Sequence, residues 1–376
     1  MWLLFAGLLM TAVVAGQGLA KKADTSSQPL LEIHLRNLEY QPAEDTRIKG
    51  NGIPRDLSLL NDDANLRLTF VGGKTLVVYA SRFQSPQQDS SPESSSMEAF
   101  FIDTTSGALV AHKMWPTRKR RWLNNRWDTE ARILALDDGF LVHAGGKLTL
   151  YSADFKERTS LPLDERSIWA VTVTPTGRVF HLQRINGDQD QAEGQWLAAD
   201  TLARLRSQQE QPGITSASEH AVVTALSHCE QLQAIGEPPR DLCCSDACRA
   251  GRPEFISESE VLLLCRNGFR LLSISGEELW KVETAKNIRN GAVADHELSL
   301  NGNRFALALN GDHGAVFDQV KVPNGQSVVM VYDVLRRAPV FRTAIRGYSF
   351  SFALSPDGGM LAALIGDTVR LYKIPL

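Results

Sequence analysis

Two segments of the chain combine carboxylates and imidazole in ways that could support metal binding or acid–base chemistry. The first holds Asp188, Asp190 and Glu193, and the second holds Asp312, His313 and Asp318. The first segment lacks the D-x-D-x-D-G ligand order and the distal glutamate of a calcium loop, so we expect no metal there. The chain also contains no G-x-S-x-G, H-E-x-x-H, P-loop or dinucleotide-binding motif, and we expect no cofactor.

A third segment, residues 116–129, is basic and aromatic. Its cations and indoles are Arg118, Lys119, Arg120, Arg121, Trp122, Arg126 and Trp127. Guanidinium and indole groups together suit an anionic partner surface, which makes this segment, together with Asp312 and His313, a candidate binding surface. The alternative is that the tryptophans fill a gap in the core while the cations extend to water. A net charge of -3 and a pI near 6.3 argue against a nucleic-acid binder.

The N-terminus indicates the compartment. Residues 2–20 carry no charge, and their apolar run gives way to small residues after position 15. This pattern predicts a cleaved signal peptide over residues 1–20, and therefore a periplasmic or extracellular protein. The alternative is an uncleaved membrane anchor, and we expect membrane contact only in that case.

The chain has five cysteines. Four lie within twenty residues of one another, namely Cys229, Cys243, Cys244 and Cys248, and the fifth is Cys265. In an exported protein the first four predict one or two disulfides, and a hairpin over Pro238 and Pro239 would pair Cys229 with Cys248. Paired C-x2-C spacing is missing, which argues against zinc. Cys265 lies in an apolar run and is predicted to be a buried core residue.

Short apolar runs with two-residue alternation dominate the chain, and the best helical pattern, residues 195–209, is short. A strand–turn–strand unit recurs, most clearly in residues 349–375, where the turn reads S-P-D-G. The second strands of the units are centred near Val77, Leu141, Phe180, Val223, Leu263, Ala306 and Leu361. A base period of about 40 residues is the length of one propeller blade.

This period and the S-P-D-G turn resemble those of bacterial WD40-like β-propellers, although no strand here ends in the Trp-Asp signature. The resemblance implies an all-β, seven-bladed propeller of four-stranded antiparallel blades, as a single domain over residues 30–376. The expected blades are residues 57–115, 130–163, 168–207, 214–247, 253–284, 293–345 and 349–376. The last unit has only three strands, so residues 30–38 are predicted to add the fourth and close the ring.

The long connections are predicted to fall on one face of the disc: residues 84–97, 116–129, 185–194, 248–253 and 310–326. A rigid scaffold that positions loops in this way commonly binds through them. We therefore expect a non-catalytic, monomeric scaffold that binds a protein, peptide or glycan through this face, and no nucleic acid. The alternative is a hydrolase or lyase with a metal-assisted site at the mouth of the central channel, using the two carboxylate segments.

Overall fold

A computed structural model describes residues 28–35, 66–83, 95–117, 122–123, 126–127, 131–164, 167–185, 192–210, 214–225, 230–243, 253–265, 268–283, 293–310, 316–318, 320–322, 326–346 and 350–375. Their regular structure is β-strand, arranged as seven four-stranded antiparallel sheets and two short hairpins. Across these described ranges, no helix has the length and hydrophobicity needed to span a membrane.

The blades follow one another along the chain, and within each of the first six blades the strands run in sequence order from the channel to the rim. Blade 1 consists of Arg67–Val71, Thr75–Phe83, Ser95–Asp103 and Leu109–Thr117. Blade 2 consists of Arg132–Leu136, Gly139–Ala144, Lys147–Ser152 and Glu157–Pro162. Blade 3 consists of Ile168–Val173, Val179–Ile185, Ala192–Ala198 and Arg204–Glu210. Blade 4 consists of Ile214–Ala217, Ala221–Ala225, Glu230–Ala234 and Arg240–Cys243.

The remaining blades complete the ring. Blade 5 consists of Pro253–Ser257, Glu260–Cys265, Gly268–Ser273 and Glu278–Glu283. Blade 6 consists of Val293–Leu298, Arg304–Asn310, Gln326–Asp333 and Ala338–Arg346. Blade 7 consists of Phe350–Leu354, Met360–Ile365, Thr368–Lys373 and, as its outermost strand, the N-terminal Leu31–His34. The predicted seven-bladed architecture is thereby confirmed.

The N-terminal strand closes the ring as predicted. It pairs antiparallel with the third strand of blade 7, and Leu31 lies opposite Leu371. The backbone N–H of Leu35 donates to Asp367 O over 2.8 Å, which extends the pairing beyond the strand. Ile33 and Leu35 are both buried in the core between blades 7 and 1. Blade 7 therefore requires both ends of the described chain, and the ring has no open seam.

The core lies between neighbouring blades. Second strands carry the longest apolar runs because both of their faces are covered, and all six residues of Gly139–Ala144 are buried. Aromatic side chains join adjacent blades in pairs, such as Phe101 with Phe140 at 5.3 Å and Phe269 with Phe305 at 5.0 Å between ring centroids. Packing between blades thus fixes the ring.

The S-P-D-G turn recognised in the sequence has a clear physical basis. The Ser355 hydroxyl donates to Asp357 and accepts the N–H of Met360, which closes the turn between the first and second strands of blade 7. Gly358 has a φ of 68°, where glycine avoids the strain that a side chain would bring. The equivalent Gly302 in blade 6 must be glycine, because an added Cβ would lie 1.7 Å from Ile256 O.

Residues 195–209, the best helical pattern, are not helical. They belong to the third and fourth strands of blade 3, which are joined by a turn where Leu202 has a φ of 58°. The fourth strand is an outer strand whose exposed and half-buried side chains alternate. Tertiary pairing along the blade overrides the local pattern.

Candidate functional site

The two faces of the disc differ in the lengths of their connections. First-to-second and third-to-fourth strand turns are two to five residues long, and they define the turn face. Second-to-third and blade-to-blade connections define the loop face and reach 32 residues, between His34 and Arg67. Short hydrogen-bonded turns leave little room for adaptable recognition, whereas long connections provide it.

Most residues of the candidate binding surface lie outside the described part of the chain. This holds for Arg118 to Arg121, Asp312 and His313. The metal candidates Asp188 and Asp190 also lie outside it. The backbone of the basic segment is described at two short strands, which place Trp122 opposite Trp127 in a hairpin on the loop face. The choice between a binding role and a core-filling role for the two tryptophans stays a prediction.

Two of the carboxylates predicted for catalysis or metal binding have structural partners. Glu193 accepts a hydrogen bond from the Gln195 side chain at 2.9 Å, within the third strand of blade 3. Asp318 accepts from the phenol of Tyr332 at 3.2 Å. Burial of that phenol, together with the Asp318 charge, raises the pKa of Tyr332 and keeps it a donor.

Asp318 belongs to the insertion between the second and third strands of blade 6. Val316–Phe317 pairs with Val320–Lys321 as a small hairpin. Phe317 and the following Val322 are fully buried in the cluster that joins blades 5 and 6. The described part of this insertion therefore folds back into the core, and Asp318 anchors it.

The structure bears on the metal prediction only for the described residues. Among them, no three His, Cys, Asp or Glu side chains cluster as metal ligands.

One of the five cysteines is described with its side chain. Cys265 is buried with its Sγ 3.8 Å from Leu263 O, which confirms it as a core residue. Cys229, Cys244 and Cys248 lie outside the described residues, and only the backbone of Cys243 is described. The disulfides stay a prediction.

A central channel runs along the axis of the disc, and the first strands of the blades line it. It encloses about 270 Å³. Its polar lining on the first strands includes Thr69, Arg132, Thr172, Ser216, Glu254 and Glu297, and Thr174 and Ser299 line it at the first turns. Each side chain is held by a strand whose apolar neighbours pack into the core, as Trp169 and Val171 do on either side of Ala170 in blade 3. The ring thus brings together polar groups that are far apart in sequence.

The charged groups of the channel lie on opposite walls. Glu254 of blade 5 accepts a hydrogen bond from His296 of blade 6, and Glu297 follows His296 on the same strand. Arg132 belongs to blade 2, which lies across the axis from blades 5 and 6 in a ring of seven. One wall therefore carries two carboxylates, one of them bonded to His296, and the wall opposite carries a guanidinium.

Leu300 narrows the channel at the turn face. Leu300 belongs to the first turn of blade 6, and its methyl groups reach toward Gly177 in the first turn of blade 3. A Cβ atom at position 177 would lie 3.5 Å from each of these methyl groups. Blades 3 and 6 face each other, so this side chain crosses the axis. Pro175 and Pro356 line the cavity at the same level. Thr174 and Ser299 also belong to the lining at these turns, whereas the charged groups lie on the first strands.

Hydrogen bonds also link neighbouring turns of the turn face. Thr176 of blade 3 donates to the Glu219 carboxylate of blade 4 at 2.7 Å, and the Glu219 N–H donates to Glu258 of blade 5 at 2.8 Å. Burial raises the pKa of Glu258, partly offset by the hydrogen bond from Glu219. These contacts tie three blades together, which is a structural role.

The sequence analysis missed Arg132, Glu254, His296 and Glu297. The signal was present, because each is a charged or ionisable residue inside the first strand of a repeat, as in A-R-I-L and P-E-F-I. A first strand faces the propeller axis, so a charge there must either face the channel or pair. Only the blade order shows that these four come together.

No family model and no curated protein matches the chain. Among solved structures, the chain is similar to one described as "COPII on membranes, outer coat vertex", with a TM-score of 0.49 and 10% identity over 83% of this chain and 84% of that chain. It is also similar to the Neurospora crassa Pan2 WD40 domain, with a TM-score of 0.39 and 9% identity over 86% and 93%. A protein of unknown function from Bacteroides caccae gives a TM-score of 0.38 and 12% identity over 66% and 95%.

Identities this low say nothing about function. The fold itself rests on the strand pairing: the described sheets are seven four-stranded blades, and the N-terminal strand completes the last of them. The recurring turns carry glycine at positive φ, as the S-P-D-G pattern requires. In its architecture, this chain is a seven-bladed β-propeller of four-stranded blades, as its resemblance to WD40-like propellers predicts.

Proposed function

We propose that the protein is a non-catalytic scaffold that binds a protein, peptide or glycan on its loop face. The observation that carries the proposal is the contrast between the faces: connections of two to five residues on one side, and of up to 32 residues on the other. On the turn face, Leu300 of blade 6 reaches toward Gly177 of blade 3, which narrows the channel there. In the blade 6 insertion, Asp318 accepts a hydrogen bond from Tyr332. Because this carboxylate already has a structural partner, the contact favours a binding role over a catalytic one.

The basic segment gives the loop face a charge that suits an anionic partner. Four cations lie in sequence at Arg118, Lys119, Arg120 and Arg121, beside the Trp122 and Trp127 hairpin. Arginine offers planar donors that match carboxylates, sulfates and phosphates. We also propose export, from the uncharged apolar residues 2–20. Mass spectrometry of the N-terminus of protein from cell-envelope and secreted fractions tests the export proposal.

The test of binding is a cross-linking capture from the cell envelope with two variants of equal charge change. The loop-face variant changes the four cations 118–121 to Ser. The matched control changes four exposed cations of the turn face to Ser: Lys74, Arg178, Arg336 and Arg337. We expect the loop-face variant to lose partners that the control keeps.

Equal capture by both variants would contradict a role for the basic segment, and equal loss by both would show a general charge effect. Urea midpoints of the two variants, measured in parallel, separate lost binding from lost folding. If neither the native protein nor the variants capture a partner, the scaffold proposal fails.

A further inference from the structure

We propose that the outer strand of blade 1, Leu109–Thr117, binds an extended acidic segment of a partner protein as an added fifth strand. This inference rests on the proposed function in one respect only, namely that the partner is anionic. The added segment runs antiparallel to the outer strand, which continues the antiparallel order of the blade.

The exposed side chains of this strand distinguish it from the other outer strands. Among the described residues, seven large apolar side chains are exposed, and three of them lie here: Leu109, Val110 and Met114, at 41%, 50% and 58%. Each of the other six outer strands carries at least one carboxylate or arginine, whereas this strand carries neither. Charged side chains normally protect an edge strand from pairing with another chain. The rim of blade 1 largely lacks that protection.

The backbone pairing within blade 1 shows which groups of the outer strand face outward. Asp103, at the end of the third strand, donates its N–H to Ala108 O over 2.9 Å and so faces the outer strand. In an antiparallel pair every second residue bonds to the neighbouring strand, so residues 97, 99 and 101 face it as well. Their partners on the outer strand are Trp115, Lys113 and Ala111.

The residues between these partners direct their backbone groups away from the blade. His112 and Met114 each offer an N–H and a C=O, and Pro116, which lacks an N–H, offers a C=O. Within the described part of the chain, no strand pairs with this edge. The side chains of the same three residues are exposed. An added strand therefore finds hydrogen bonds and the apolar Met114 side chain at one place.

The charges near this edge select an acidic peptide. The strand contains Lys113 and no carboxylate, and four cations, Arg118 to Arg121, follow it in the sequence. Glu98 of the third strand lies beside it and is paired with the His112 ring at 2.9 Å. The outer strand runs from the turn face to the loop face, so the four cations follow its loop-face end. An antiparallel peptide begins at that end, and its acidic residues must precede its alternating apolar residues.

The test is fluorescence anisotropy with the labelled peptide Asp-Glu-Asp-Thr-Val-Ser-Val-Thr-Val-amide. A valine opposite Met114 shares its face and directs its N–H and C=O to the edge. N-methylation of the valines should therefore weaken binding about tenfold or more, and N-methylation of the intervening Thr and Ser residues about twofold at most. Replacement of Asp and Glu by Asn and Gln should weaken binding about threefold or more.

Two protein variants with the same charge change locate the site. Met114→Glu places a carboxylate on the proposed edge, and Leu205→Glu places one on the outer strand of blade 3, at a residue that is 55% exposed. We expect Met114→Glu to weaken peptide binding about tenfold or more, because like charges on paired strands repel and the apolar contact is lost. Leu205→Glu should leave the affinity unchanged. Urea midpoints of both variants show that folding is retained.

Three results would overturn the strand site: no binding of the peptide, equal weakening by the two N-methylation patterns, or equal weakening by Met114→Glu and Leu205→Glu. Dimerisation of the native protein that Met114→Glu abolishes, without peptide binding, would assign the edge to a second copy of this chain instead. Loop-face capture that persists in any of these cases would leave the scaffold proposal standing. Peptide binding by a protein that captures no partner would overturn the scaffold proposal and support the strand site.

Discussion

Arg304 is the buried cation that ties blade 6 to blade 7, and its replacement should have a large effect on stability. Its guanidinium donates to Gly358 O and to Pro375 O, both at 2.8 Å, and lies 3.7 Å from the Asp333 carboxylate. The side chain is only 6% exposed. Arg304→Met keeps the apolar stem but leaves two carbonyls without a donor, and Asp333 keeps only the Arg336 guanidinium, 4.0 Å away, and a hydrogen bond from the Arg336 N–H.

The expected magnitude follows from these contacts. A hydrogen bond to a charged group contributes about 1.5–3 kcal/mol, and removing one partner of a buried ion pair costs about 3–5 kcal/mol. The contributions overlap, so we expect Arg304→Met to lower the free energy of unfolding by about 3–5 kcal/mol. The assay is urea unfolding followed by circular dichroism, with the midpoint compared at an unchanged m-value.

Arg158→Met is the matched control. Arg158 also makes a 2.8 Å ion pair, with Asp138, but the two side chains are 35% and 72% exposed. Exposed pairs contribute at most about 1 kcal/mol. A loss for Arg304→Met within about 1 kcal/mol of that for Arg158→Met would refute the reasoning. Adding Asp333→Asn to Arg304→Met should recover part of the loss, because it removes a mostly buried charge that has lost its buried cation.

Three further predictions address other parts of the ring. Ile33→Ala leaves a cavity where the closing strand packs into the core, and it should lower the free energy of unfolding in urea by about 2–5 kcal/mol. Leu30→Ala, at a 62% exposed position, should leave that free energy almost unchanged. If the two variants cost the same, the strand does not close the ring. Tyr332→Phe removes the hydrogen bond to Asp318 and should lower stability by about 1 kcal/mol, and an unchanged midpoint would show that the bond does not anchor the insertion. Burial raises the pKa of Glu258 above its ordinary 4.5, so ionisation opposes folding as the pH rises through the raised pKa. Glu258→Gln should therefore raise the urea midpoint at neutral pH and have little effect below the ordinary pKa; an effect of the same size at both pH values would exclude ionisation as its cause.

The repeat could be predicted from the sequence because each blade depends on residues that are close together in the chain. Each blade needs second and third strands that are buried on both faces, and so it carries apolar runs such as G-F-L-V-H-A at positions 139–144. Each turn needs a residue tolerant of positive φ, and so glycine recurs at 177, 302 and 358. Strand count, ring closure and the split of connection lengths between faces follow from counting these units.

The residues that line the channel could not be predicted in the same way. Arg132 and Glu254 look like isolated charges in apolar strands, and only the closed ring shows that they face each other across the axis. Leu300 is an ordinary turn residue in sequence, and its contact with Gly177 depends on blades 3 and 6 being opposite. Asp318 resembled an acid–base candidate until Tyr332, on a strand of the same blade, supplied its partner.

The sequence by itself determined the blade, because alternation and turn chemistry act within about 40 residues. It also determined how the ring closes, since a three-stranded last unit and the alternating L-E-I-H-L-R stretch leave one simple pairing, which the structure adopts. Tertiary structure alone decided which charges meet, which turn residues reach toward the axis and which polar groups are structural. Those outcomes depend on distances between blades that are far apart in sequence, and no local pattern encodes such distances.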